Sequence, residues 1–111
     1  MKNTIQYEEF SKLDIRVGTI VEVNDFPEAR NPSYKLVIDF GKLGKKQSSA
    51  QITTLYKKED LLNKQVLAVV NFPEKQIANF MSQCLVLGAV NNKDVILLTA
   101  DGKVKNGSTV S

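Results

Sequence analysis

Asn71-Phe72-Pro73-Glu74-Lys75-Gln76-Ile77-Ala78-Asn79-Phe80-Met81-Ser82-Gln83-Cys84-Leu85-Val86-Leu87 is the stretch that decides the fold of this chain. Before it stands Val66-Leu67-Ala68-Val69-Val70, within a run from Gln65 to Phe72 that is apolar on both faces, as expected of a strand covered on both sides. Pro73 has no N–H to give a sheet ladder and opens a polar loop that runs to Met81. Leu85-Val86-Leu87 then resumes as strand. Loops held between two strands are where binding residues concentrate.

Toward the N-terminus the same period of two recurs. Ile15, Val17, Thr19, Val21 and Val23 alternate along a strand that Gly18 is expected to bend, with Ile20 as the exception to the pattern. Phe26 to Ser33 holds Pro27 and Pro32 and no apolar periodicity, so it reads as a surface loop. Tyr34 to Phe40 places Leu36, Ile38 and Phe40 on one face. A glycine-bounded turn over Gly41 to Lys46 follows, then a small polar strand from Gln47 to Thr53. Short helices are predicted over Tyr7 to Leu13 and within Leu55 to Lys64. Leu85–Leu87 and Val95–Leu98 are expected to pair as a hairpin around Asn91 to Asp94, and Ser108 to Ser111 to form a last strand. Five or more strands with only short helices predict an all-β fold, a small closed barrel.

Composition narrows the chemistry. The 111 residues, 42% of them hydrophobic, suit one domain spanning 1–111. Fifteen basic against twelve acidic residues give a net charge of +3, which permits a polyanionic partner without demanding one. Histidine is absent, which removes Ser-His-Asp and Cys-His catalysis and imidazole metal ligands. Cys84 is the single cysteine, so no internal disulfide forms; it reads as a small buried hydrophobe. The acidic pairs Glu8-Glu9 and Glu59-Asp60 lack a base partner, and no phosphate-cradling glycine loop occurs. No catalytic residue, metal ligand or cofactor site is expected. Met1 to Glu9 carries no apolar signal core, and no run of about 18 apolar residues spans a bilayer. The expectation is a cytoplasmic protein without membrane insertion.

Four segments carry a resemblance: D-I-R-V-G-T-I at 14–20, Y-K-L-V-I-D-F-G at 34–41, N-K-Q-V-L-A-V-V-N-F at 63–72 and S-Q-C-L-V-L-G-A at 82–89. The chain resembles the EMAP-II-like tRNA-binding domain family. F-P-E-A-R-N-P at 26–32 and K-Q-S-S-A-Q-I-T at 46–53 are similar to its CsaA-type chaperone branch. The resemblance implies a five-stranded barrel of the oligonucleotide-binding (OB) type, a homodimer and binding without catalysis. Its ligands would be unfolded or precursor polypeptides in protein export, or tRNA for a stand-alone dimeric tRNA-binding protein. A purely structural assembly module is a third reading. Ile5, Phe10 and Leu13 at one end and Val104 and Val110 at the other supply apolar side chains for a dimer interface built from extensions 1–12 and 103–111.

The candidate binding residues follow from strand order and from that resemblance. Lys35 and Lys75, with Arg16, are expected to approach one another in a basic groove; Lys42, Lys45 and Lys46 either extend it or form a solvated turn. Gln47, Ser48, Ser49 and Gln51 offer neutral donors and acceptors beside a groove left open by small side chains, or they line a solvent-facing strand. The resemblance adds Asn71, Ser82 and Gln83 as polar contacts. Phe80 and Met81, with Phe72, can form an apolar pocket that stacks bases or accepts varied peptides. The alternative places Phe72 and Phe80 in the core, and for Phe72 the core is the expected place.

Overall fold

The computed structural model describes residues 1–111. In chain order the elements are α1 (Tyr7–Ser11), β1 (Ile15–Asp25), β2 (Tyr34–Asp39), β3 (Lys45–Ala50), α2 (Lys58–Leu61), β4 (Gln65–Val69), β5 (Lys75–Ile77), β6 (Phe80–Ser82), β7 (Leu85–Val86), β8 (Gly88–Asn91), β9 (Asp94–Leu97) and β10 (Thr109–Val110), with one 3-10 turn at Gly41–Leu43. The main sheet runs β3-β2-β1-β4-β7, antiparallel at every pair, and β10 adds to β1.

The two edges of this sheet curl onto each other. The Gln83 N–H donates to the Gln47 carbonyl at 2.8 Å, the Gln47 N–H donates to Gln83 Oε1 at 3.0 Å, and the Ser48 hydroxyl donates to the Cys84 carbonyl at 2.8 Å. These bonds satisfy edge groups of β3 that would otherwise face water. The result is the nearly closed five-stranded barrel of the OB type.

Its interior is filled by Ile20, Leu36, Ile38, Phe40, Val66 and Ala68, all with no exposed surface, and Leu61 of α2 joins them. The one-turn α2 is held at its start by the Lys57 N–H, which donates to the Asp60 carboxylate at 2.9 Å. It ends before Asn63, whose φ of 70° breaks the helix and whose N–H reaches the Ile20 carbonyl.

Gly18 does not bend β1. The ladder to β4 is unbroken from Ile15↔Val69 to Thr19↔Gln65, and the irregularity lies between Ile20 and Glu22 in the β2 ladder. Gly18 instead makes room: a Cβ there would lie 2.6 Å from the Ile38 side chain and 2.8 Å from the Phe40 ring. The extra residue at Val21 explains the exceptional Ile20, because a bulge changes which alternating set faces inward. Ile15 and Val17 therefore sit opposite Val69 and Leu67 on the outer face, while Ile20 and Val23 pair with Ile38 and Leu36 in the core.

Two further expectations are corrected. The segment 73–81 is not a plain loop: Lys75↔Ser82, Gln76↔Met81 and Ile77↔Phe80 form a hairpin whose turn begins at Ala78, with φ of 52°. Ala-Asn is not a usual turn dipeptide, and three-residue strands are too short to show a period. Leu85–Leu87 does not pair with Val95–Leu98 as a hairpin. β7 joins β4, β8 pairs with β9, and one bond from the Leu98 N–H to the Leu87 carbonyl links the two runs. No helix is long and apolar enough to cross a membrane.

Candidate binding site

In an OB barrel the outer face of the second and third strands, flanked by the loops after strands one and four, forms the usual binding surface. Here those loops are Phe26–Ser33 and the segment that carries the β5–β6 hairpin. An aromatic contact ties them together, since the rings of Phe26 and Phe80 lie 5.4 Å apart at a tilt of 59°. Lys35 of β2 holds its ammonium 5.5 Å from the Phe26 centroid and 6.0 Å from that of Phe80. Both distances fall within cation–π range, so the lysine stem is aligned over the rings while its charge remains at the surface.

Ser49 stands directly across from Lys35 in the β2–β3 ladder. It opens onto a groove of about 390 Å³ between the end of β3 and the hairpin. Ser49, Gln51, Lys75 and Ser82 supply its polar side chains; Ile52, Ile77, Leu85, Val86, Val95 and Leu97 supply most of its apolar lining. Such a mixture suits an extended polymer, with apolar side chains or bases against the lining and polar groups at the Ser, Gln and Lys positions. Neither Lys35 nor Lys75 has a carboxylate partner, because the two ion pairs in the chain are Asp14–Arg16 and Asp25–Lys58.

On the other side of the hairpin lies a smaller pocket of about 140 Å³ bounded by Phe72, Pro73, Lys75, Ser82, Gln83 and Leu85. Phe72 is not core: it is 47% exposed, because β4 ends at Val69 and the chain leaves the barrel before reaching it. Phe80 is half-buried and Met81 exposed.

Other expected residues have different surroundings. Ser48 is buried and its hydroxyl is engaged with the Cys84 carbonyl. The Gln47 amide donates to the Met81 carbonyl at 2.9 Å, and the Gln83 side chain accepts from the Gln47 N–H, so both belong to the barrel seam. Asn71 accepts from the Asp14 N–H at 2.9 Å and donates to the Lys12 carbonyl at 2.7 Å, latching the chain that leads into β1. Arg16 does not converge with Lys35 and Lys75. It bonds Asp14 at 2.6 Å and the Gly107 carbonyl at 3.0 Å, near the opposite end of β1 from Asn24, the partner of Lys35.

Phe26 is the contact that the sequence reading missed. The two prolines of its loop suggested full exposure, yet Phe26 is 3% exposed. An aromatic residue at a strand exit, directly before proline, was the available signal. Burial pushes the Cys84 thiol up to about 11, against the opposing pull of the Ser48 hydrogen bond and the Lys46 charge. It remains a neutral thiol at physiological pH, with none of the thiolate character that reactive cysteines need.

A family model described as a putative tRNA binding domain matches residues 15–109. The chain belongs to this tRNA-binding domain family. Among solved structures it is similar to the CsaA chaperone of Picrophilus torridus, at 57% identity and a TM-score of 0.92 over 97% of this chain and 100% of that one. It is likewise similar to the chaperone CsaA of Bacillus anthracis str. Ames, at 49% identity and a TM-score of 0.94, covering 98% and 100%. The methionine–tRNA ligase of Pyrococcus horikoshii is 40% identical over 106 residues. Those residues are 96% of this chain and 14% of the ligase, so the chain spans only a small part of that enzyme's length.

Proposed function

We propose that this chain is a non-catalytic chaperone of the CsaA kind, which binds unfolded or precursor polypeptides in protein export through the groove beside β3. The mostly apolar lining of that groove, open to solvent and rimmed by Ser49, Gln51, Lys75 and Ser82, carries the reading. Its likeness to two CsaA chaperones along their full length supports it. A polypeptide in extended form would place apolar side chains against Ile77, Leu85 and Val95 and its backbone amides near the polar rim. Lys35, Lys75, Phe80, Met81, Ser49, Gln51 and Ser82 are the proposed contacts; Gln47, Ser48, Gln83 and Asn71 hold the frame that presents them.

tRNA binding by a stand-alone dimeric protein is the second reading, favoured by the family match and by the unpaired lysines of the same face. Titrations of bulk tRNA and of an unfolded precursor polypeptide separate the two. If polypeptide is the main ligand, Phe80→Ala weakens polypeptide binding by about 1–3 kcal/mol and leaves tRNA binding nearly unchanged. Loss confined to tRNA binding reverses the order of the two readings, through lost base stacking. Because Phe80 also packs on Phe26, thermal unfolding is followed in parallel; equal loss of stability and of both activities removes Phe80 from the site.

The proposed assembly is a cytoplasmic homodimer. α1 buries none of its residues within the chain, and Ile5, Phe10, Leu13 and Val104 are exposed together with Val90 and Ile96 of the β8–β9 hairpin. Val110, expected among them, is half-buried opposite Ile15. An isologous interface over the extensions 1–12 and 103–111 would remove this apolar surface from water. Sedimentation at micromolar concentration is expected to give the dimer mass, and a monomer there excludes the interface.

A further inference from the structure

The barrel end away from the Phe26–Phe80 contact carries a second cationic cavity. It measures about 260 Å³, and its lining includes Arg16 of β1, Lys42 of the β2–β3 turn, and Lys105, Asn106 and Ser108 of the segment before β10. No carboxylate lines it. Asp14, bonded to Arg16 Nε, is the one acid paired with any of these cations. With the Arg16 charge offset by Asp14, Lys42 and Lys105 are the uncompensated charges beside the cavity, and their repulsion is eased by an anion that enters.

The chain is built to hold these groups together. Gly41 and Gly107 adopt φ of 67° and 90°, and a Cβ on either would lie 2.6 Å from a carbonyl oxygen, of Asn106 and Phe40 respectively. Only glycine permits so close a meeting of the two loops, and the meeting sets Lys42 and Lys105 on one cavity. Asn106 is oriented as well: its Oδ1 accepts from the Thr19 hydroxyl at 2.8 Å and from the Gln65 amide at 3.0 Å. Its Nδ2 thereby keeps donor capacity beside the cations. Lys42 and Lys105 are exposed, so their ammonium groups are free to follow a ligand.

We propose that this cavity is a second phosphate-binding site, which anchors the backbone of an RNA whose other contacts lie on the β2–β3 face. It lies roughly 15–20 Å along β2 from Lys35, at about 3.3 Å per strand residue. A folded RNA can span that separation, and so can a single strand of the length an OB domain usually covers. The inference rests on the RNA-binding reading of the β2–β3 face but uses none of the residues placed there.

The test measures bulk tRNA binding between 50 and 200 mM salt for the unaltered protein, Lys42→Ala/Lys105→Ala and Lys35→Ala/Lys75→Ala, with unfolded polypeptide titrated alongside. Removing two phosphate contacts should lower the log–log salt slope by about 1.4 to 1.8, so that the loss of tRNA affinity is about tenfold larger at 50 mM than at 200 mM salt, with polypeptide binding unchanged. An unchanged slope in Lys42→Ala/Lys105→Ala overturns the second site, as does absence of tRNA binding by the unaltered protein. Loss in that variant alone, with Lys35→Ala/Lys75→Ala behaving as the unaltered protein, rejects the face as the RNA contact and overturns the two-site arrangement, leaving the cavity as a sole RNA site. A third arm uses inorganic phosphate by itself. Thermal stabilisation by phosphate that the Lys42→Ala/Lys105→Ala change abolishes, without any change in the tRNA slope, assigns the cavity to free phosphate and overturns the RNA proposal.

Discussion

Phe40→Ala is expected to destabilise the chain by about 3–5 kcal/mol, a large share of the roughly 5–15 kcal/mol that holds a domain of this size folded. Phe40 has no exposed surface, and its ring lies against the place where any other residue at position 18 would put a Cβ. Gly18→Ala is expected to cost about 1–3 kcal/mol for the opposite reason, because its methyl group has no room beside Ile38 and Phe40. The two changes should compensate in part, since the methyl of Ala at 18 would enter the volume the ring vacates. Urea unfolding of both single variants and the double variant measures this, and the double loss should fall short of the sum by at least about 0.5 kcal/mol. Additive losses, or a Phe40→Ala loss below about 1 kcal/mol, contradict the packing.

The second large effect concerns nucleic acid. Should Lys35, Lys45, Lys46 and Lys75 each meet a phosphate, the log–log salt slope of tRNA binding would be of order −3 to −4 from these four alone. Between 50 and 200 mM salt that slope weakens binding by about 60- to 250-fold. No carboxylate pairs with any of the four, so their charge is available to phosphate. A flat salt response rejects electrostatic binding, and unchanged affinity after replacing all four by alanine rejects these residues as its source.

The barrel was legible in the sequence because alternation and turn residues act locally. Leu36, Ile38 and Phe40 lie on one face of β2 as their spacing demands, and the unbroken apolar run of β4 is indeed covered on both sides, Val66 and Ala68 within and Val69 without. The bulge at Val21 was hidden, since an inserted residue looks like a fault in the alternation until the partner strand is known. Of the candidate site, Ser49, Gln51, Lys75 and Ser82 share one groove. Arg16 looked like their neighbour only because its strand neighbours theirs, whereas β1 is eleven residues long and Arg16 lies at its other end. Gln47, Ser48 and Gln83 have the chemistry of ligand contacts, but their bonds to the opposite edge of the barrel depend on three-dimensional closure that no local pattern encodes. Phe26 is obscured by the prolines of its loop, and the core expectation for Phe72 fails because the apolar run alone does not mark the end of β4 at Val69, three residues earlier.

Which face of the barrel holds the ligand is decided most directly by chemical-shift mapping of isotope-labelled protein titrated with an unfolded precursor polypeptide. The expected result is a set of perturbations at Ser49, Gln51, Ile77, Phe80, Met81, Ser82 and Leu85, contiguous around the groove beside β3. Perturbations confined to the exposed apolar residues of α1 and the β8–β9 hairpin, or none at saturating polypeptide, would contradict it.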